Sequence, residues 1–189
     1  VLVIADHTAD ASIIAADLLA QSEHDRVAKG IVVTTDEALG RAIISEAERQ
    51  LTDLPTAGIA RDSWRDYGEI VLAESLEEAA ALSNAIAPEH LELQVADSDA
   101  LVPVLTNYGS LFIGRYTAEV FGDYASGTNH TLPTMRAARY TGGVWVGTFI
   151  KICTHQSFTR GAMLEMAPLV GRLARAQELY ALALAAETR

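Results

Sequence analysis

Along this chain, short uninterrupted apolar runs alternate with longer stretches in which apolar positions recur at helical spacing. VLVIAD at residues 1–6 and GIVVT at 30–34 are continuous apolar runs, the pattern of strands covered on both faces. EIVLA (69–73), LELQV (91–95) and SLFI (110–113) supply three more strands. Between the first two, Thr8 or Asp10 is placed to cap a helix running to about residue 23, with Ile13, Ile14, Asp17, Leu18 and Gln21 on neighbouring faces. Thr35 is placed to cap a second helix over residues 36–52, and the segment holding Pro55, Gly58 and Trp64 reads as a polar linker. Ser75 with Glu78 three residues later forms a capping box that opens LEEAAALSNAIA, and residues 98–107 read as a short helix. Regular alternation of strand and helix predicts an α/β fold: a Rossmann-like, mostly parallel sheet flanked by helices.

Past Gly114 the alternation stops. GDYASGTNHTLPT (122–134) offers almost nothing apolar to bury, TGGVWVG (141–147) reads as a short strand, and a mainly helical tail runs from about Phe158, with Pro168 placed to start its last long helix. The expected organisation is a Rossmann-like domain over residues 1–135 and a mainly helical tail over 136–189.

Composition narrows the classes of function. At 189 residues a chain can bury about 70% of its unfolded surface, enough for a core without metal or disulfide staples. Fourteen Lys and Arg against 25 Asp and Glu give a formal charge of −11, which repels a phosphate backbone and argues against nucleic acid as partner. No apolar run reaches the roughly 18 residues of a membrane span. A single cysteine, Cys153, excludes an intrachain disulfide and suits a cytoplasmic location, and no basic-then-apolar leader precedes the first strand. Because the chain opens directly on a strand, further residues are expected upstream.

In an open parallel sheet the expected place for chemistry is the crevice beyond the carboxyl ends of the strands. Three clusters compete for it. In QSEHD (21–25), Gln21 and His24 are three apart and project from one helix face; the plainer reading is a polar helix end with a histidine complementing the dipole. In APEHLEL (87–93), Pro88 breaks the helix and leaves Glu89 beside His90 in a turn, either a proton-handling pair or two solvated loop residues. The 122–134 segment offers Asp123 as an oxygen ligand and His130 as a ring nitrogen, with Gly122 and Gly127 allowing unusual backbone angles. His7 and His155 lack partners at ligand spacing. There is no G-x-G-x-x-G after a strand, no P-loop, and no G-x-S-x-G elbow to make Ser126 a nucleophile.

Taken together, LLAQSEHD, APEHLEL, GSLFIGRYTAEVFGDYASGTNHTLP and TFIK resemble histidinol dehydrogenase in order and spacing over nearly the whole chain. The resemblance implies a zinc-dependent oxidation of an amino alcohol through an aldehyde to an acid with two molecules of NAD. By motif, Gln21, His24 and Asp123 correspond to three of four zinc ligands that also hold substrate. Glu89 corresponds to the residue that activates water, His90 to the proton acceptor that also contacts substrate, and His130 to a substrate-pocket histidine. A homodimer is implied, because the family's site is shared between subunits.

Two departures accompany the match. Members of the family are more than twice as long, and their upstream half carries most NAD contacts and ends in a Gly-Pro-Ser-Glu segment that would fall just before Val1. The family's last helix carries a Glu and, five residues later, a His, as substrate contact and fourth zinc ligand; here Gln177 and Leu182 occupy those places, and no His follows His155. Weak zinc binding and an inactive isolated chain are therefore expected. The alternatives are oxidation of another small polar alcohol, or a retained fold that binds without redox chemistry.

Overall fold

Strands β1 (Leu2–Ala5), β2 (Gly30–Thr34), β3 (Gly68–Leu72), β4 (His90–Gln94) and β5 (Ser110–Ile113) pair in the order β3-β2-β1-β4-β5, every pairing parallel. The computed structural model describes residues 1–188. Helices α1 (Ala11–Ser22), α2 (Glu37–Asp53) and α3 (Ala57–Tyr67) cover one face, where Val3, Ala5 and Val32 meet Ile14, Leu18, Ile43, Leu51 and Trp64. Helices α4 (Leu76–Ile86) and α5 (Ser98–Leu101) cover the other, where Leu2, Ile4, Val33, Leu91 and Leu93 meet Ala79, Ala80 and Leu101. Successive side chains of a strand point to opposite faces, so β1 must be apolar at every position to serve both cores.

Local chemistry explains most boundaries and several departures from expectation. Asp10 caps α1 by accepting from the Ser12 backbone N–H. Asp36, rather than Thr35, caps α2, accepting from Ala38 and Leu39. The expected linker is helix α3, which starts without a side-chain cap and is held instead by burial of Ala60, Ser63 and Trp64 at i, i+3 and i+4. Ser75 caps α4 through the Glu78 N–H, while Glu78 reaches back to the Glu74 N–H. After α5 the chain tightens into a 3₁₀ turn, Val102–Val104, where Pro103 removes a donor.

The polar segment after β5 begins with a short helix, α6 (Glu119–Tyr124). TGGVWVG joins no sheet among the described residues and ends in a 3₁₀ turn, Val146–Phe149. The chain divides into two compact units, Val1–Thr148 and a second starting at Phe149. The second holds α7 (Arg160–Ala176) and α8 (Tyr180–Glu187), joined by a bidentate Arg175–Glu187 pair. Pro168 lies inside α7 instead of starting it, because Thr159 caps the helix a full two turns earlier. Among the described residues no helix is long and apolar enough to cross a membrane.

Candidate active site

In a parallel sheet the covering helices run back against the strands, so the C-terminal end of α1 lies beside the amino edge of the sheet. That edge, and not the expected carboxyl edge, gathers the predicted residues. Gln21 occupies the last turn of α1 and His90 is the first residue of β4; the Gln21 side-chain oxygen lies 3.3 Å from Nδ1 of His90. The Val1 backbone nitrogen donates to the same oxygen at 3.3 Å and to the Lys29 carbonyl at 2.9 Å. An open cleft of about 760 Å³ runs along this edge, lined by Gln21, Lys29, Glu69, Pro88, Glu89 and Arg136 among others. At the carboxyl edge a smaller cavity of about 120 Å³ is bordered by Asp10, Gln94 and Arg115 and includes none of the predicted site residues.

The Pro88 turn is built to hold its place. Ala87 ends α4 in the left-handed region at φ 55°, and the Pro88 and Glu89 carbonyls accept from the Gly109 and Ser110 N–H groups at 3.0 and 2.9 Å. A side chain at 109 would come within 2.5 Å of the Glu89 carbonyl and 2.8 Å of the Pro133 ring, so only glycine lets the two segments meet. This places Pro133 of the polar segment against the Glu89 turn.

Carboxylates and imidazoles converge here. Nδ1 of His90 is 3.2 Å from Oε1 of Glu119, and Nδ1 of His130 is 3.6 Å from Oδ1 of Asp123. Burial above all, with the His130 and His24 side chains, drives the His90 imidazole down to about 4; Asp123 acts in the opposite sense. Burial raises the Glu89 carboxyl, reinforced by Asp123 and opposed by Val1 and His130. Burial likewise pushes Glu119 up to about 7. The His90–Glu119 contact at pH 7 is therefore one between a neutral imidazole and a carboxyl group rather than an ion pair. His24, exposed just past α1, is close enough for its charge to reach His90.

Two glycines in the polar segment do different work. Gly127 takes φ +78°, but Gly122 needs space instead of an unusual angle: a Cβ there would stand 3.0 Å from the Phe112 ring. Within the segment Ser126 pairs with Thr128 and Asn129 with Thr131, and the Thr131 carbonyl also accepts from the Val144 N–H at 3.0 Å.

Sequence reasoning assigned nothing to Glu119, Glu92 or Asp17, although the signals were present. Glu119 and Asp123 are four apart on α6, Asp17 and Gln21 four apart on α1, and His90, Glu92 and Gln94 alternate along β4. These spacings put each set on one face. A polar seam thus runs between α1 and β4, with Asp17 facing Glu92 and Gln21 facing His90.

As donors for a divalent cation, an amide oxygen (Gln21), an imidazole (His24) and a carboxylate (Asp123) have the right chemistry, and the negative end of α1 favours positive charge. The set is thin, however. No group of three or more His, Cys, Asp or Glu is arranged to hold a metal among the described residues, and the Gln21 oxygen lies 3.3 Å from both the Val1 nitrogen and Nδ1 of His90. Their donor chemistry is of a kind that suits a divalent cation held by few protein ligands.

The fold is a Rossmann-like α/β domain, with a cleft and a cluster of carboxyl and imidazole groups at its amino edge. The family profile for histidinol dehydrogenase matches residues 1–189, and the chain belongs to that family. It is 47% identical over 189 residues to histidinol dehydrogenase of Cereibacter sphaeroides, covering all of this chain and 44% of that protein. It is 43% identical over 173 residues to a histidinol dehydrogenase homolog of Shouchella clausii, covering 92% of this chain and 41% of the relative. The crystal structure of histidinol dehydrogenase from Elizabethkingia anophelis superposes with a TM-score of 0.93 at 42% identity, over 98% of this chain and 42% of that one. The chain therefore spans less than half the length of these relatives.

Proposed function

We propose that this chain corresponds to the C-terminal half of a histidinol dehydrogenase and carries the substrate end of its active site. The observation supporting this is the Gln21–His90 contact, which joins two motifs of the family pattern beside Glu89, Glu119 and Asp123. In this reading Gln21, His24 and Asp123 hold zinc and substrate together. When bound, zinc polarises the substrate alcohol and lowers its pKa. His90, neutral at physiological pH, accepts the alcohol proton as hydride leaves to NAD, giving the aldehyde. Glu89 then takes a proton from water for addition to the aldehyde, and a second hydride transfer yields the acid. His130 walls the pocket. The NAD contacts come from the portion of the relatives that this chain does not match, so the chain by itself is inactive.

The matching test is a chimera in which this chain replaces the aligned segment of the Cereibacter enzyme. Histidinol-dependent NADH formation by the chimera, with none from the chain alone, is the expected result. A folded, inactive chimera overturns the assignment, and NADH formation by the isolated chain overturns the need for a second half. Turnover of other amino alcohols but not histidinol supports the second reading, a dehydrogenase of another small polar alcohol. That reading draws on Gln177 and Leu182, which depart from the family pattern, and on the similarity to proteins described only as homologs.

A further inference from the structure

The His90 ring has an unusual polar environment. Its Nδ1 faces two oxygens, Oε1 of Glu119 at 3.2 Å and Oε1 of Gln21 at 3.3 Å, while no hydrogen bond to Nε2 is found among the described residues. The His90 and Glu119 side chains are only 12% and 10% exposed, and the ring leans on Phe112 at 6.0 Å between centroids, so neither partner rotates freely. An imidazole with its proton on Nε2 would turn the Nδ1 lone pair toward both oxygens.

The two acceptors are not equivalent. The Gln21 amide can turn over and offer its NH₂ instead, which would favour the opposite tautomer. An ionised carboxylate has only acceptors. Glu119 is therefore the group that decides, and it stands in the first turn of α6, four residues before Asp123, so the helix that carries one proposed ligand also carries this carboxyl.

We propose that Glu119 is a positioning residue, whose carboxyl oxygen holds His90 in the Nδ1–H tautomer and leaves Nε2 as the basic nitrogen. This rests on the reading of His90 as proton acceptor, since it names the nitrogen that accepts. Glu119 itself touches neither substrate nor cofactor in this scheme.

The test is the tautomer of His90 in the ¹⁵N-histidine-labelled 189-residue chain, read by long-range ¹H–¹⁵N correlation at pH 8, where the imidazole is neutral and the carboxyl ionised. The expected result is His90 mainly Nδ1–H, against the Nε2–H form that exposed imidazoles such as His155 favour in water. Gln21→Leu retains the Nδ1–H form. Glu119→Leu shifts His90 mainly to Nε2–H, and Glu119→Gln, which keeps size but loses the charge, raises the Nε2–H fraction above wild type even if the leucine variant fails to fold. Nε2–H in the wild type, or an unchanged tautomer in Glu119→Gln, overturns the proposal. No substrate is present, so an inactive chimera counts against the catalytic reading and leaves this result standing.

Discussion

The side-chain oxygen of Gln21 and Nδ1 of His90, 69 residues apart in the chain, stand 3.3 Å from each other. This contact lies at the end of the α1–β4 seam and brings the helix that carries Gln21, with His24 just past its end, against the turn that carries the proposed base. Its chemistry leads to a first prediction. With an amide, one imidazole and one carboxylate, and Leu182 where the family pattern has a histidine, zinc is held weakly. Zinc-saturated chain passed through gel filtration is expected to retain well under one equivalent, and Leu182→His to retain more. Full occupancy in the wild type would sink this account.

Glu89 offers a second test in the chimera. Its carboxyl is raised by burial, as suits a group that must take a proton near neutral pH. Glu89→Gln is expected to slow aldehyde oxidation by about 10²–10⁴-fold, the usual range for losing a general base, while oxidation of the alcohol falls much less. Equal loss in both half-reactions, measured with histidinol and with the aldehyde, would remove Glu89 from the proposed role.

Glu92 and Asp17 face one another beneath the sheet, and neither Glu92 oxygen has a hydrogen-bond partner. Burial, then repulsion from Asp17, pushes Glu92 up to about 9, and burial pushes Asp17 up to about 6. The unfolded chain gives up these protons at lower pH than the folded one. Their stabilisation is thus complete below the ordinary carboxyl range and is lost as pH rises, from about pH 4.5 to about 9 for Glu92, at up to about 1.4 kcal/mol per pH unit. His90 works in the other sense, losing stability as pH falls from 6.5 toward 4. Glu92→Gln, neutral at every pH, should raise Tm at pH 8 much more than at pH 5. A Tm difference that does not change with pH would contradict a neutral, buried Glu92.

Gly109→Ala tests the Pro88 turn. Its methyl would lie 2.5 Å from the Glu89 carbonyl, an overpacking expected to cost about 1–3 kcal/mol, or roughly 2–12 °C in Tm at this chain length. An unaltered melting curve would mean that the turn yields without cost.

Helices α7 and α8 leave Leu164, Leu169, Leu173, Leu179, Leu182 and Leu184 exposed, a large apolar surface for a folded chain. A homodimer covering it is expected. Sedimentation equilibrium showing monomer alone at micromolar concentration would count against that.

Much of this molecule was legible in its sequence. The five strands and the capped helices α1, α2 and α4 follow from short-range rules: period, cap residues and apolar runs covered on both faces. The resemblance of QSEHD, APEHLEL and GDYASGTNHTLP to one family pointed to the family and to the residues proposed for the site. Helix α3 was missed because it has no capping side chain and owes its stability to Trp64 and Ser63 buried against other elements. Pro168 misled because a local preference for the first helical turn gave way to the Thr159 cap.

What only tertiary structure decided is where the site sits and which groups complete it. Helix direction relative to the strands put Gln21 at the amino edge, opposite to the edge expected for this fold. Packing α6 against the start of β4 set Glu119 on His90, and burying β4 turned Glu92 from a surface-type residue into a neutral acid. Sequence spacing reports which side chains share a face of one element. Distance and desolvation between elements, which set tautomers and pKa values, exist only once those faces meet.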